Sequence, residues 1–222
     1  MNQIDKNTVS AKGQLKESEF VTFLQNCGDG KRYLFVGNSI TRHGIAPKIG
    51  WNQDCGMAAS ALEKDYVHLL ATKIREKEPD AVFCICQAAE WERNYRDPAP
   101  VLHLFENARD FCADVIVMRI VENCPYNDFD AGIFGKTYPD FISFLNPTGK
   151  AQIVLTTGFW KHPGDASIQK IAARNGYPCV DLNALGEDPA MKAIGLFEHT
   201  GVANHPGDHG MKTIADMIFA VI

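Results

Sequence analysis

The sequence predicts an α/β fold in which a parallel β-sheet is covered by helices on both faces. Five short apolar runs alternate with segments whose apolar residues recur at helical spacing. The runs are continuously apolar, as is typical of strands buried on both faces of a parallel sheet. A half-exposed strand would instead alternate apolar and polar residues. Alternation of such strands with helices favours a layered α/β domain.

Helix start and stop signals place the individual elements along the chain. Ser60 and Glu63 form a capping-box pattern before the first long helix, and Gly176 follows a later one. Residues 122–138 carry no regular pattern. The predicted strands are 33–36, 81–86, 115–121, 153–157 and 179–182; the predicted helices are 17–27, 60–78, 98–112, 139–146, 165–175 and one that begins near Pro206.

Length and charge restrict the classes of function. The chain has 222 residues, with 22 basic and 27 acidic side chains and a net charge of −5. This length suits one domain with an appendage, so we expect an N-terminal extension with a short helix over 1–30 and the main domain over 31–222. The acidic balance argues against a nucleic-acid partner. No apolar run approaches the roughly 20 residues of a membrane helix, so no membrane partner is expected.

Cysteine usage and the N-terminal residues indicate a cytoplasmic protein. Seven cysteines occur at irregular spacings, which predicts reduced, mostly buried thiols and no disulfide framework. The first twenty residues contain no apolar core of the kind that a secretory signal has, and a signal removed before residue 1 is left open.

Two polar loops are expected to meet at one edge of this sheet. Ligands of parallel α/β sheets bind at the carboxyl ends of the strands. Ser39 follows the first predicted strand and a glycine, and His205 precedes the last helix. A histidine in that place could act as general base to a serine nucleophile. Taken singly, Ser39 could be a turn or cap residue, and His205 an exposed loop residue.

The two loops together resemble the GDSL/SGNH hydrolase superfamily. The resemblance rests on Ser39 within Gly-Asn-Ser-Ile-Thr and on His205 within His-Pro-Gly-Asp, and it spans about residues 33–222. It implies a flavodoxin-like three-layer α/β/α sandwich with a five-stranded parallel sheet. It also implies ester hydrolysis through a seryl acyl-enzyme without a cofactor, with Ser39 as nucleophile and His205 as base.

The acid of the expected catalytic triad is missing from its usual position. The family commonly has an aspartate three residues before the histidine, where this chain has Val202. Glu198 and Asp208 are the nearby carboxylates; Asp208 is better placed to cap the last helix, so Glu198 is the predicted acid. A backbone carbonyl on the imidazole, or a Ser–His dyad without an acid, is the alternative.

The oxyanion hole also departs from the family pattern. The resemblance implies donors from the backbone N–H groups of Ser39 and of a second glycine, for which Gly56 is the first choice and Gly50 the competitor. The family's asparagine of the third motif is absent. Gln87 or Asn123, each near a strand end, is predicted to supply the amide donor instead.

Aromatic residues suggest the class of substrate. Trp51, Trp91 and Trp160, together with Tyr95, fall in the strand-end loops. Flat aromatic rings near polar groups suit stacking on a sugar ring. We therefore expect a short acyl group, such as acetyl, on a carbohydrate or another small molecule, with the three tryptophans as substrate-binding residues.

Two other functions remain open at the level of sequence. The absent acid and the altered third motif allow a non-catalytic descendant that binds a glycan or metabolite. His199, His205 and His209, with Asp208, have a spacing that could bind a metal, although none is expected because His209 falls in the first turn of a helix. Arg119 and Glu122 are predicted to form a structural ion pair at a strand end.

Overall fold

Six strands form one open sheet in the computed structural model, which describes residues 15–25 and 30–222. Their order is β1-β3-β2-β4-β5-β6, with β1 antiparallel to β3 and every other pair parallel. The predicted α/β fold is confirmed, and so are the five predicted parallel strands. The strands are β1 Val21–Gln25, β2 Arg32–Gly37, β3 Val82–Gln87, β4 Val115–Arg119, β5 Gln152–Thr156 and β6 Cys179–Val180.

Helices cover both faces of the sheet. The first and last long helices, α1 and α8, pack on one face, while α3, α4 and α5 pack on the other. The helices are α1 Tyr66–Lys77, α2 Ala89–Arg93, α3 Glu106–Asp110, α4 Ala131–Leu145, α5 Asp165–Asn175, α6 Asn183–Glu187, α7 Thr200–Ala203 and α8 Asp208–Phe219, with 3-10 turns at Pro47–Ile49, Leu62–Lys64, Ala99–Phe105 and Pro189–Met191.

Strand β2 shows why the strands read as continuous apolar runs. Tyr33 and Phe35 contribute to the apolar cluster on the α1/α8 face, whereas Leu34 and Val36 contribute to the cluster on the α4/α5 face. Because successive side chains of a strand point to opposite faces, both sets must be apolar when both faces are covered.

The helix predicted over 17–27 is wrong. Val21–Gln25 instead forms β1 at the edge of the sheet, paired with β3 and broken by a register shift between Phe23 and Gln25. The apolar residues of this stretch fit either period, and their β-branched and aromatic character suits the strand once a free sheet edge is available. The domain boundary at residue 30 stays a prediction.

Two helix starts also differ from the prediction. The predicted capping box at Ser60 is wrong, because the Ser60 hydroxyl donates to Asp208 Oδ2 at 2.7 Å. Helix α1 instead begins after Asp65, whose carboxylate caps it by accepting from the His68 N–H at 2.8 Å. Helix α4 begins within the stretch read as irregular, capped by Asp130, and it carries Pro139 in its interior. The prediction begins this helix at residue 139, because proline favours the first turn of a helix.

The helical pattern over 98–112 and the final helix near Pro206 are close to the structure. The former divides into the 3-10 turn Ala99–Phe105 and α3. Three short helices at strand ends or loops, α2, α6 and α7, were not predicted.

Most of the cysteines within the described residues are buried, as predicted. The thiols of Cys55, Cys84, Cys86, Cys124 and Cys179 are free, and Cys27 lies outside the described residues. Burial raises the pKa of the thiols of Cys84, Cys86 and Cys124, so they stay protonated at neutral pH. Within 15–25 and 30–222, no helix combines the length and apolarity needed to span a bilayer.

Replacing Asp65 by alanine should destabilise the domain strongly. The Asp65 carboxylate is fully buried and accepts from the Gly56 N–H at 3.0 Å and from the His68 N–H at 2.8 Å. Loss of a helix cap together with an orphaned buried donor should lower the free energy of unfolding by about 2–4 kcal/mol. Urea denaturation measures this change.

Asp188→Ala is the matched control. Asp188 also caps a helical turn, accepting from the Ala190 N–H at 2.9 Å, but it is exposed. Its loss should cost about 1 kcal/mol or less. Equal losses for the two variants would contradict the buried role assigned to Asp65.

Candidate active site

The structure brings Ser39 and His205 together. Ser39 follows β2 at the carboxyl edge of the sheet, and His205 lies in the turn between α7 and α8. The Ser39 Oγ lies 2.9 Å from His205 Nε2, and both side chains are partly buried. A serine in hydrogen-bond contact with an imidazole is the arrangement that activates a nucleophile.

The second ring nitrogen of His205 fixes the direction of that hydrogen bond. His205 Nδ1 lies 2.7 Å from the carbonyl oxygen of Gly201, one turn earlier across α7. A carbonyl only accepts, so the proton sits on Nδ1. Nε2 is thereby left as the acceptor for the Ser39 hydroxyl, which is the tautomer that a general base needs.

The acid predicted at Glu198 is therefore wrong. The Gly201 carbonyl occupies the place on Nδ1, and Glu198 is an exposed residue of a neighbouring groove. Asp208 does not replace it and does not cap α8 as expected. Its carboxylate accepts from the Ser60 N–H at 2.8 Å and forms an ion pair with Lys64 at 2.9 Å. Helix α8 has Gly207 at its N-cap.

The surroundings of His205 keep its ring neutral. Burial lowers the pKa of His205 to about 4, and the positive charge of Arg119 acts in the same direction, while the Gly201 carbonyl opposes the shift. The indole of Trp160 packs edge-on against the imidazole with 5.0 Å between ring centroids. The imidazole can therefore accept a proton throughout the neutral pH range.

A buried cation lies beneath the loop that carries Ser39. Arg119, at the end of β4, is fully buried and donates to Glu122 Oε1 at 2.6 Å, so the predicted structural pair is present. It also donates to Asn38 Oδ1, and Asn38 donates to Glu122 Oε2 at 2.6 Å. Burial would raise the pKa of Glu122, but the charge of Arg119 and the hydrogen bonds that the carboxylate accepts together outweigh burial and hold that pKa below its ordinary value. These hydrogen bonds thus fix the side chain of Asn38, the residue directly before Ser39.

A second buried carboxylate, Glu92, extends this network to the cavity wall. Glu92 is fully buried in α2 and accepts from Asn38 Nδ2 at 3.0 Å and from Asn123 Nδ2 at 2.6 Å. Burial and the neighbouring charge of Glu122 raise the pKa of Glu92 to about 7. Sequence reasoning missed this residue, because a glutamate beside a tryptophan in a polar stretch carries no signal of burial.

Two of the backbone groups predicted as oxyanion donors, the N–H groups of Gly56 and Gly50, are engaged elsewhere. The Gly56 N–H donates to Asp65 at 3.0 Å, and the Gly50 N–H donates to the Pro47 carbonyl at 3.0 Å, so both glycine assignments are wrong. Gln87 and Asn123 both line the cavity beside Ser39. The Gln87 Oε1 accepts from the Ala89 N–H at 3.0 Å, which leaves the NH₂ end of its amide for the cavity.

The cavity beside Ser39 has a volume of about 270 Å³ and adjoins a groove of about 590 Å³. The cavity and the groove are neighbours, because Ile49 and His199 line both. The cavity is lined by Ser39, His43, Ile49, Met57, Gln87, Ala89, Arg93, Asn123, His199, Gly201, Val202 and His205.

Two of the three tryptophans predicted to bind substrate are core residues, and that part of the prediction is wrong. Trp51 is 1% exposed and donates its indole N–H to the His43 carbonyl at 3.0 Å. Trp91 is fully buried and stacks on Phe141 with 4.8 Å between centroids. Tyr95 is buried as well. Trp160 alone of these keeps partial exposure, and it contacts the His205 ring.

The histidines considered for a metal do not converge. Both nitrogens of His205 are engaged by Ser39 and Gly201, and His199 Nδ1 accepts from the Val202 N–H at 3.4 Å. His209 is exposed in α8. Over the described ranges, no three histidine, cysteine or acidic side chains are grouped so that they could hold a metal ion.

Solved structures with the same architecture include several esterases and a protein described as a GDSL-like lipase. The esterase EstA from Pseudoalteromonas sp. is 13% identical with a TM-score of 0.53, and the match covers 86% of this chain and 96% of that one. A family two carbohydrate esterase from Clostridium thermocellum is 15% identical with a TM-score of 0.57, covering 86% and 62% of the two chains.

A two-domain esterase active on acetylated mannans is 16% identical with a TM-score of 0.56, and the match covers 86% of this chain and 48% of that one. The chain thus spans about half the length of the two-domain esterase. No protein-family model matches the chain, and no curated protein sequence gives a significant match. These likenesses show that the chain has the fold of the GDSL/SGNH hydrolases, which supports the resemblance read from the two motifs.

Replacing Glu92 by glutamine should slow the reaction of Ser39 with a fluorophosphonate, a reagent for activated serines. The Glu92 carboxylate accepts from two amide NH₂ groups. A glutamine in its place would set its own NH₂ against one of these donors, so that hydrogen bond would be lost. Misplacing one oxyanion donor costs about 10²-fold in rate. Since Glu92 ionises near pH 7, the wild-type labelling rate should rise through pH 7, and this step should disappear in the variant.

Glu90→Gln is the control, because Glu90 lies two residues earlier on the same helix and is partly exposed. Its labelling rate should match that of the wild type at every pH. An unchanged pH step in Glu92→Gln would rule out the positioning role of Glu92.

Proposed function

We propose that this protein is a serine-dependent ester hydrolase that removes a short acyl group from a carbohydrate or another small molecule. The observation that carries the proposal is the 2.9 Å contact between Ser39 Oγ and His205 Nε2, with the imidazole held in the accepting tautomer by Gly201. The shared fold with known esterases supports the same class of reaction.

In the proposed mechanism Ser39 Oγ attacks the ester carbonyl while His205 Nε2 takes its proton. The amide NH₂ groups of Gln87 and Asn123 donate to the oxyanion of the tetrahedral intermediate. His205 then gives the proton to the leaving alcohol, and an acyl-serine remains. Water, deprotonated by the same nitrogen, attacks the acyl-serine and regenerates the Ser39 hydroxyl.

The Ser–His pair operates without an acid in this proposal. In serine triads, replacing the aspartate costs about 10⁴ in kcat, largely because the imidazole adopts the wrong tautomer. Here the Gly201 carbonyl sets the tautomer. It lacks a negative charge to stabilise the imidazolium, and burial already disfavours that form. We therefore expect a slower enzyme than one with a full triad.

The size of the cavity supports a short acyl group. A cavity of about 270 Å³ is below the volume of sites that enclose drug-sized ligands, so an acetyl group with part of the alcohol fits better than a long chain. Structures of the same fold include esterases described as active on acetylated mannans or as carbohydrate esterases. We propose an acetylated sugar as substrate, with the sugar in the adjoining groove.

A non-catalytic glycan- or metabolite-binding protein is the second candidate. The observation that favours it is the absence of a carboxylate on His205 Nδ1, where Gly201 stands instead. Such a protein would bind the sugar without forming an acyl-serine. Turnover and covalent labelling of Ser39 distinguish the two candidates.

Hydrolysis of p-nitrophenyl acetate and of acetylated sugars tests the proposal. Wild type should turn over both, and Ser39→Ala and His205→Ala should each lower kcat/KM by more than about 10³-fold, because the nucleophile and its base act as a unit. Ser39 should be the residue labelled by a fluorophosphonate.

The matched controls are Ser143→Ala and His103→Ala, which remove an exposed serine and an exposed histidine remote from the cavity. Both should retain wild-type rates. A wild type that neither hydrolyses these esters nor labels at Ser39 would contradict the hydrolase proposal and favour the binding protein.

A further inference from the structure

Arg93 is the one permanently charged side chain among the twelve residues that line the cavity beside Ser39. It lies in α2, directly after the buried residues Trp91 and Glu92. Since the helix is anchored by these two fully buried side chains, the backbone of Arg93 is held in place. Its side chain is 54% exposed, so the guanidinium is at the mouth of the cavity and accessible to a ligand.

Most of the hydrogen-bonding capacity of Arg93 is unused within the described residues. Its Nη1 donates to Glu90 Oε1 at 2.6 Å, one turn earlier on the same helix. This pair is solvent-exposed, and exposed i,i+3 pairs contribute little to stability. A guanidinium has five N–H donors, so a ligand carboxylate can bind Arg93 beside Glu90 or in its place.

The lining of the cavity holds a cationic side chain and no anionic one. The lining contains Arg93 and three histidines, His43, His199 and His205, and it contains no carboxylate, although the chain as a whole carries a net charge of −5. The adjoining groove adds Lys48 and Glu198, whose charges offset one another. A ligand carboxylate in the cavity would therefore face the guanidinium of Arg93 and no lining carboxylate that would repel it.

We propose that the ester substrate carries a carboxylate and that Arg93 binds it. This inference rests on the proposed ester hydrolysis and names the substrate class of the same site. The planar guanidinium fork matches a carboxylate in two parallel hydrogen bonds, whereas a neutral hydroxymethyl group offers no such match. Acetylated uronic acids combine the carboxylate with the sugar ester already proposed.

Two esters that differ only in this group test the assignment. The probes are methyl O-acetyl-glucuronoside and methyl O-acetyl-glucoside. Wild type should favour the glucuronoside at least about 10-fold in kcat/KM, because one charge-assisted pair contributes about that factor. Arg93→Gln should reduce this preference to near unity, Glu90→Gln should increase it, and 0.5 M NaCl should weaken it in the wild type.

Arg96→Gln is the matched control, since Arg96 is a nearby exposed cation that pairs with Asp128 and does not line the cavity. It should leave the preference for the glucuronoside unchanged. A wild type without the preference, or an Arg93→Gln variant that retains it, would overturn the assignment.

Binding to the Ser39→Ala variant separates this inference from the proposed hydrolysis. Calorimetry should show tighter binding of the glucuronoside than of the glucoside, and adding Arg93→Gln should abolish that difference. If wild type hydrolyses neither ester while the binding difference is present, the hydrolase proposal fails and the Arg93 assignment stands. If both esters are hydrolysed and bound equally, the Arg93 assignment fails alone.

Discussion

The need to pair the buried guanidinium of Arg119 dictates how the loops at the carboxyl edge of the sheet are arranged. An unpaired charge in a protein interior costs several kcal/mol, and Arg119 is fully buried. Its partners, Asn38 and Glu122, come from the loops after β2 and β4. Glu92, in α2 after β3, accepts a hydrogen bond from the same Asn38 side chain. Three strand ends are thus linked through one polar network, and Ser39 is attached directly to it through Asn38.

Helix α7 is a single turn that places a backbone carbonyl on His205 Nδ1, where a catalytic triad has its acid. It places the Gly201 carbonyl and the His205 ring four residues apart, so the carbonyl meets Nδ1 at 2.7 Å while Nε2 reaches Ser39. The orientation of the imidazole is thereby fixed by a neutral carbonyl instead of a carboxylate. The loss of charge matters less for positioning the base than for stabilising the imidazolium that forms during the reaction. In our proposal Arg93, which lines the same cavity, adds recognition of the substrate carboxylate.

Features that depend on local pattern could be predicted from the sequence, and features that depend on tertiary burial could not. Ser39 and His205 were found because each sits in a short motif at a strand end or helix start. Edge strand β1 was missed because its residues fit two periods and its partner residues lie 58 to 65 positions further along the chain. The burial of Glu92 and Trp91 follows from how α2 packs against the core, which no spacing in the sequence reveals. Glu198 failed as the acid because the fold of a single turn decides which group meets Nδ1.

The protonation of His205 tests the central claim most directly. Nitrogen-15 NMR of the imidazole reports both the tautomer and the pKa. The account requires a neutral ring with its proton on Nδ1 from about pH 5 upward and a pKa of about 4. A proton on Nε2 would contradict the orienting role of the Gly201 carbonyl. Titration near the ordinary histidine value of about 6.5 would contradict the effect assigned to burial of the ring.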